Sequence, residues 1–110
     1  RTLGAKRAMQ LYVESARIPA SQCLEYGLVN KVIESGRLRD EAAGWAKKLA
    51  EGAPLAHKLG KQCMHFAMQN DLSSTIDLEA KLQVTASTSA DSQAAITAFF
   101  NKAKPVFTGK

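Results

Sequence analysis

Only one stretch of this 110-residue chain, Leu28-Val29-Asn30-Lys31-Val32-Ile33, has strand-like character, with β-branched residues concentrated together. A strand must pair with another, and the chain offers no second one. A sheet built from this chain alone is therefore excluded. The expected fold class is mainly α, with one short extended segment near residues 28–33 whose apolar side packs on something else. That unmet need is the first sign of a piece of a larger structure.

The remaining sequence reads as helices. Leu3, Ala8, Leu11 and Tyr12 recur at helical spacing, with Lys6 and Arg7 on the other side, and predict a helix over 4–14. A short element follows from Arg17 to Gly27, with Pro19 in its first turn and Gly27 ending it in a left-handed conformation. Glu34, Ser35 and Gly36 turn the chain. Leu38, Ala42, Trp45 and Leu49 form an apolar stripe, Gly52 closes that helix and Pro54 opens the next. Leu55, Leu59, Cys63 and Phe66 make the following stripe, with Met64 and Met68 beside it. Asn70 and Asp71 mark a boundary. Leu72 and Ile76 then share one face of a helix with Glu79 and Gln83, and Leu78 and Leu82 share another. Thr88 to Asp91 matches a capping box, which predicts a helix start there with Asp91 as a cap residue. Ile96, Phe99 and Phe100 carry the apolar face of a last helix running to about Lys102, and Pro105 stops it.

Composition bounds the function classes. The chain is 45% hydrophobic and 23% charged, an ordinary globular balance, and leaves room for one domain. No apolar run approaches the ~20 residues that span a bilayer, so no membrane partner is expected. The chain opens at Arg1 with no secretory signal pattern. The formal net charge is +5, part of it in Lys102, Lys104 and Lys110, which reads either as a solvated basic tail or as a site for an anionic partner. No nucleic-acid motif supports the nucleic-acid version, and aromatics for base stacking are few. Cys23 and Cys63 sit in apolar helical contexts, which predicts two buried reduced thiols and a reducing compartment. His57 and His65 lack the closer spacing of a zinc-protease motif, and no carboxylate completes a ligand set, so no metal is expected. The acids fall on polar helix faces or near helix starts, where solvated and capping roles outweigh catalysis. Neither cysteine has a positive neighbour pattern that would stabilise a thiolate.

Four stretches together resemble the crotonase family, the enoyl-CoA hydratases and isomerases. Arg1, Gly4, Ala8 and Leu11 match R-x-x-G-x-x-x-A-x-x-L. Ile18, Ala20 and Gly27-Leu28-Val29-Asn30 with Val32 match I-S-A-x-x-A-x-x-x-G-L-V-N-x-V. Ala53-Pro54-Leu55-Ala56 with Lys61 match A-P-x-A-x-x-x-x-K. Asp91, Ala98-Phe99, Lys102, Pro105 and Phe107 match D-x-x-E-G-x-x-A-F-x-x-K-R-x-P-x-F. The departures are Glu14-Ser15 where the family has Thr-Gly, Ala94-Ala95 where it has Glu-Gly, and Ala103 where it has Arg.

The resemblance implies the helical C-terminal domain of a crotonase-like α/β fold. Residues 1–36 would end the core, and 37–110 would form an assembly and CoA-lid region. It implies an acyl-CoA thioester as substrate with no separate cofactor, and a homo-oligomer, trimer or hexamer. It also implies fatty acid metabolism in a bacterial cytoplasm or a mitochondrial matrix. The family's oxyanion loop and catalytic acids precede the matched segment, so the catalytic residues expected on this chain are none. Phe99 and Lys102 match positions that touch the nucleotide end of CoA: the ring packs adenine and the ammonium attracts phosphate. Their spacing predicts that one helix face presents both. Lys61 has a weaker claim to a ligand or subunit contact. Glu79 matches a Glu common in the family, with no physical role apparent from the sequence. The alternatives are a non-catalytic helical binding or oligomerisation module, and a plain helical interaction domain without a CoA link.

Overall fold

The computed structural model describes residues 2–110. Six α-helices follow in order: α1 Gly4–Glu14, α2 Ala20–Glu25, α3 Leu38–Ala50, α4 Pro54–Ala67, α5 Leu72–Ser87 and α6 Ala90–Phe100. A single 3₁₀ turn, Ser35–Arg37, leads into α3. Among the described residues there is no strand. The segment 28–33 is irregular, bending at Leu28 and Asn30, because nothing in this chain offers its backbone a ladder. The mainly α expectation therefore holds, and residues 28–33 form no strand. Among the described residues no helix is long and apolar enough to cross a membrane.

Contacts divide the chain into two units, 1–42 and 43–110. In the first, α2 begins one residue beyond Pro19, which caps the helix at ψ 151° instead of sitting in its first turn. The helix ends as the glycine predicts. Gly27 has φ +69°, its N–H donates to the Leu24 carbonyl, and the Leu28 N–H donates to the Cys23 carbonyl. These two bonds form a Schellman closure, which satisfies carbonyls that the helix end would leave orphaned. Tyr26 is fixed from two sides: the Arg7 guanidinium lies 4.3 Å from its ring centroid, and Gln22 Nε2 donates to its hydroxyl at 2.8 Å. α1 ends at Ser15, which is left-handed at φ 48° where the crotonase pattern has glycine. A serine there bears the steric cost that a glycine avoids.

In the second unit α4 packs on α5 and α5 on α6. The α4 stripe read from the sequence faces inward: Leu59 is buried and Leu55, Cys63 and Phe66 are half-buried. On α5 the inward leucines are Leu78 and Leu82, while Leu72 and Ile76 are exposed. α6 differs from expectation. Its inward face is Asp91, Ala94, Ala95 and Ala98, and Ile96, Phe99 and Phe100 point outward. The small residues of α6 are the enclosed ones, and its large apolar side chains lie on the opposite side. Both cysteines are free and half-buried, less enclosed than predicted.

Helix starts were only partly legible. Asp71 caps α5, accepting the Ser74 N–H at 2.9 Å and the Ser74 hydroxyl at 2.8 Å. At α6 the capping residue is Ser89, whose hydroxyl oxygen accepts the Ser92 N–H at 3.1 Å. Thr88 instead closes α5, donating its hydroxyl to the Val84 carbonyl. The predicted Thr88–Asp91 box is thus displaced by one residue, and Asp91 is not a cap.

Among the described residues only Leu59, Ala98 and Asp91 are buried. Met9, Tyr12 and Val13 on α1, and Leu38, Trp45 and Leu49 on α3, are exposed. An apolar area of this extent in water favours association. The isolated 110-residue chain is expected to self-associate, or to unfold over a broad range. Sedimentation velocity with calorimetry checks this, and a lone monomer with one sharp transition contradicts it.

Candidate functional site

The C-terminal end of α6 and the tail that follows it carry the residues singled out by sequence. α6 closes at Phe100, and the chain then leaves the helix. Lys102 has φ 51° and its N–H donates to the Phe99 carbonyl at 3.1 Å, while the Ala103 N–H donates to the Ala98 carbonyl at 2.9 Å. This is the same Schellman closure as at Gly27, with lysine in the position that glycine ordinarily fills. The expectation that one helix face presents Phe99 and Lys102 is therefore corrected: Lys102 lies past the helix, in the left-handed turn. A backbone hydrogen bond, not helical spacing, ties the two positions together.

Phe99 is 79% exposed and Phe100 77% exposed, so neither is a core residue of this chain. Their rings meet edge to face at 5.8 Å between centroids and 77° between planes, the arrangement that the ring quadrupoles favour. Lys102 is also exposed. The helix end thus presents two open aromatic faces and one ammonium, a combination suited to a flat ring carrying an anionic group. Lys104 faces a different task, with its Nζ 2.6 Å from Glu51 Oε2. Lys61 lies exposed on α4. Glu79 borders a groove between α4 and α5 together with Gly60 and Cys63.

A second feature escaped the sequence reading. Asp91, at the second position of α6, is 3% exposed. Its carboxylate accepts the Thr108 N–H at 2.6 Å, the Thr108 hydroxyl at 3.2 Å and the Gly109 N–H at 2.8 Å. The Asp91 N–H in turn donates to the Lys110 carbonyl at 2.9 Å. A cleft of about 260 Å³ opens beside it, lined in part by Leu55, Ala56, Gln83, Ala86, Asp91 and Phe107. The one available signal was an aspartate too far into its helix to cap it, paired with a Thr-Gly near the end of the chain.

The acids with defined partners are structural. The Lys104 ammonium, by hydrogen bond and then by charge, holds the Glu51 carboxyl below its ordinary range. The Ser74 N–H, then its hydroxyl, lowers Asp71. Asp91 is lowered chiefly by the Thr108 N–H, against an opposing push from burial, with the Gly109 N–H adding to the effect. Glu41 pairs with Arg37 along one helical turn. Among the described residues no cluster of three His, Cys, Asp or Glu could hold a metal ion. The two hydroxyl–carboxylate pairs among the described residues, Ser74 with Asp71 and Thr108 with Asp91, serve a helix cap and the attachment of the tail.

A group whose folded pKa is depressed stabilises the fold above its unfolded pKa and loses that contribution as pH falls through the folded value. Glu51, Asp71 and Asp91 all act in this direction. The thermal midpoint should be flat from neutral pH to about pH 5 and fall below about pH 4. Asp71→Asn, which keeps a capping oxygen without the charge, should flatten part of that fall. An unchanged acid limb in Asp71→Asn melts followed by circular dichroism would contradict this account.

A family model described as enoyl-CoA hydratase/isomerase matches residues 1–110. A short-chain-enoyl-CoA hydratase of Clostridium acetobutylicum is 36% identical over 104 residues, covering 94% of this chain and 40% of that protein. The 1,2-epoxyphenylacetyl-CoA isomerase of Escherichia coli is 36% identical over 110 residues, covering 100% of this chain and 42% of that protein. A crystal structure of an enoyl-CoA hydratase from Bacillus anthracis superposes with a TM-score of 0.94 at 30% identity, covering 100% of this chain and 43% of its own. The chain spans about two fifths of the length of the curated relatives it matches.

Proposed function

This chain belongs to the enoyl-CoA hydratase/isomerase family, and from that membership we propose that it is the helical C-terminal portion of a protein acting on acyl-CoA thioesters. Its part is subunit assembly and cover of the CoA site. Residues 1–36 end the core and 37–110 form the assembly and lid region. The placement at the C-terminal end rests on the order of the four motifs, from Arg1-Thr2-Leu3-Gly4 to Pro105-Val106-Phe107. The thioester is the substrate, and no separate cofactor is needed. The parent protein works as a trimer or hexamer, in a bacterial cytoplasm or a mitochondrial matrix, in acyl-CoA chemistry such as fatty acid metabolism.

One observation carries the reading: a lysine, not a glycine, occupies the left-handed position at the end of α6, beside two exposed aromatic rings. Ser15 bears the same steric cost, so what distinguishes Lys102 is its exposed ammonium beside the exposed rings of Phe99 and Phe100. Lys102 presents an ammonium that attracts the phosphates of CoA as a point charge, and Phe99 packs the adenine. The exposed faces of α1 and α3 are covered by the rest of the parent chain and by neighbouring subunits. The oxyanion-hole N–H groups and the proton-handling carboxylates belong to that remainder.

Lys102→Gly separates the two roles of the position. It should stabilise the fold by about 0.5–1 kcal/mol, because glycine accepts the left-handed turn without steric cost. It should also weaken CoA binding, because the ammonium is gone. Calorimetric melting and CoA titration of the full-length protein read both; intact CoA affinity in that variant removes Lys102 from the site. The 110-residue chain by itself should show no hydration of an enoyl-CoA in a spectrophotometric assay, and measurable turnover would defeat the division of labour.

A further inference from the structure

Beyond Ala103 the chain has no regular secondary structure, and every backbone hydrogen bond it makes among the described residues goes to one residue, Asp91. Two N–H groups of this strap, from Thr108 and Gly109, point at the two carboxylate oxygens of Asp91, and the Lys110 carbonyl receives the Asp91 N–H. A charged acceptor holding two backbone donors in a nearly closed site is a strong and concentrated attachment. The strap also runs close to α4. Gly109 has φ +83°, and a Cβ there would stand 3.3 Å from Pro54 Cγ. Phe107 lines the cleft, and Lys104 reaches Glu51. The other end of the strap is the left-handed turn at Lys102, pinned by the Ala103 N–H on the Ala98 carbonyl.

We propose that Asp91 is a positioning residue: it latches the far end of the strap 103–110 and thereby holds the Lys102 turn, and its ammonium, in one orientation. The sequence of connections is short. The carboxylate fixes Thr108 and Gly109, the docked strap fixes Ala103, and Ala103 is adjacent to Lys102. With the carboxylate latch open, the Asp91 N–H still reaches the Lys110 carbonyl and the Ala98–Ala103 bond remains, while the solvated pair Lys104–Glu51 holds little. The strap then loosens at Thr108 and Gly109, and the Lys102 turn loses support on one side. The latch stands on the hydrogen bonds alone, and its bearing on ligand binding rests on the acyl-CoA reading above.

The experiment uses the full-length protein with Asp91→Asn, and with Gly109→Ala as a second variant that disturbs the strap while leaving the start of α6 intact. Hydrogen exchange followed by mass spectrometry reads the strap, and calorimetric titration with coenzyme A and with pantetheine reads the ligand end. Both variants should speed exchange at Thr108 and Gly109 by about tenfold or more. Affinity for coenzyme A should fall about two- to fivefold, the weight of one solvated charge contact, with pantetheine affinity unchanged. Unaltered exchange in both variants overturns the latch. Faster exchange with coenzyme A affinity intact, while Lys102→Gly still weakens it, overturns the positioning role and leaves the acyl-CoA reading standing. Intact coenzyme A affinity in the Asp91 and Lys102 variants alike overturns that reading and the positioning role with it.

Discussion

A buried carboxylate has to be satisfied or neutralised, and Asp91 is satisfied by the tail of its own chain. Much of the second unit follows from that requirement. The tail has no ladder or helix to support it, so the backbone donors at Thr108 and Gly109 need an acceptor that the fold provides at one point. Asp91 can serve because Ser89, not Asp91, caps α6, which leaves the carboxylate free to turn away from its own helix. The inward face of α6 is made of small residues beside Asp91, and Phe107 lines the adjacent cleft.

Two helix ends in this chain are closed by the same pair of backbone hydrogen bonds, and they differ in the residue that takes the left-handed turn. Gly27 fills it without steric cost. Lys102 does not, and the fold accepts a lysine there. Phe99 and Phe100 beside Lys102 are open to solvent, whereas Leu59 and Ala98 are among the few buried residues. Many large apolar side chains are exposed, and the chain spans about two fifths of the length of these relatives.

Where sequence reading succeeded, the information was local. The α4 stripe of Leu55, Leu59, Cys63 and Phe66 faces inward as its spacing predicts, and Gly27 turns where a helix-ending glycine should. Where it failed, spacing left two local outcomes open and the packed structure took the other one. The α6 face carrying Ile96, Phe99 and Phe100 has a strong apolar pattern, yet the alanine face packs. Spacing reports which residues share a face, not which face meets a neighbour. The Thr88–Asp91 box failed for a related reason. Two adjacent hydroxyl residues can each cap, and the end of α5 occupies one of them.

By itself the amino-acid sequence determined the helical class, the number and approximate limits of the helices, the family resemblance and the absence of a self-contained sheet. Those depend on periodicity, helix-ending glycines and prolines, and short-range motifs, all of which act within a few residues. Tertiary structure alone decided that Asp91 holds the tail, that Lys102 sits in a left-handed turn and not on a helix face, and that Lys104 is drawn to Glu51. The Asp91 and Lys104 contacts join groups 17 to 53 positions apart, and the Lys102 turn is set by where α6 ends. The Asp91 and Lys104 contacts form only once the helices have packed and brought distant donors and acceptors within hydrogen-bonding distance.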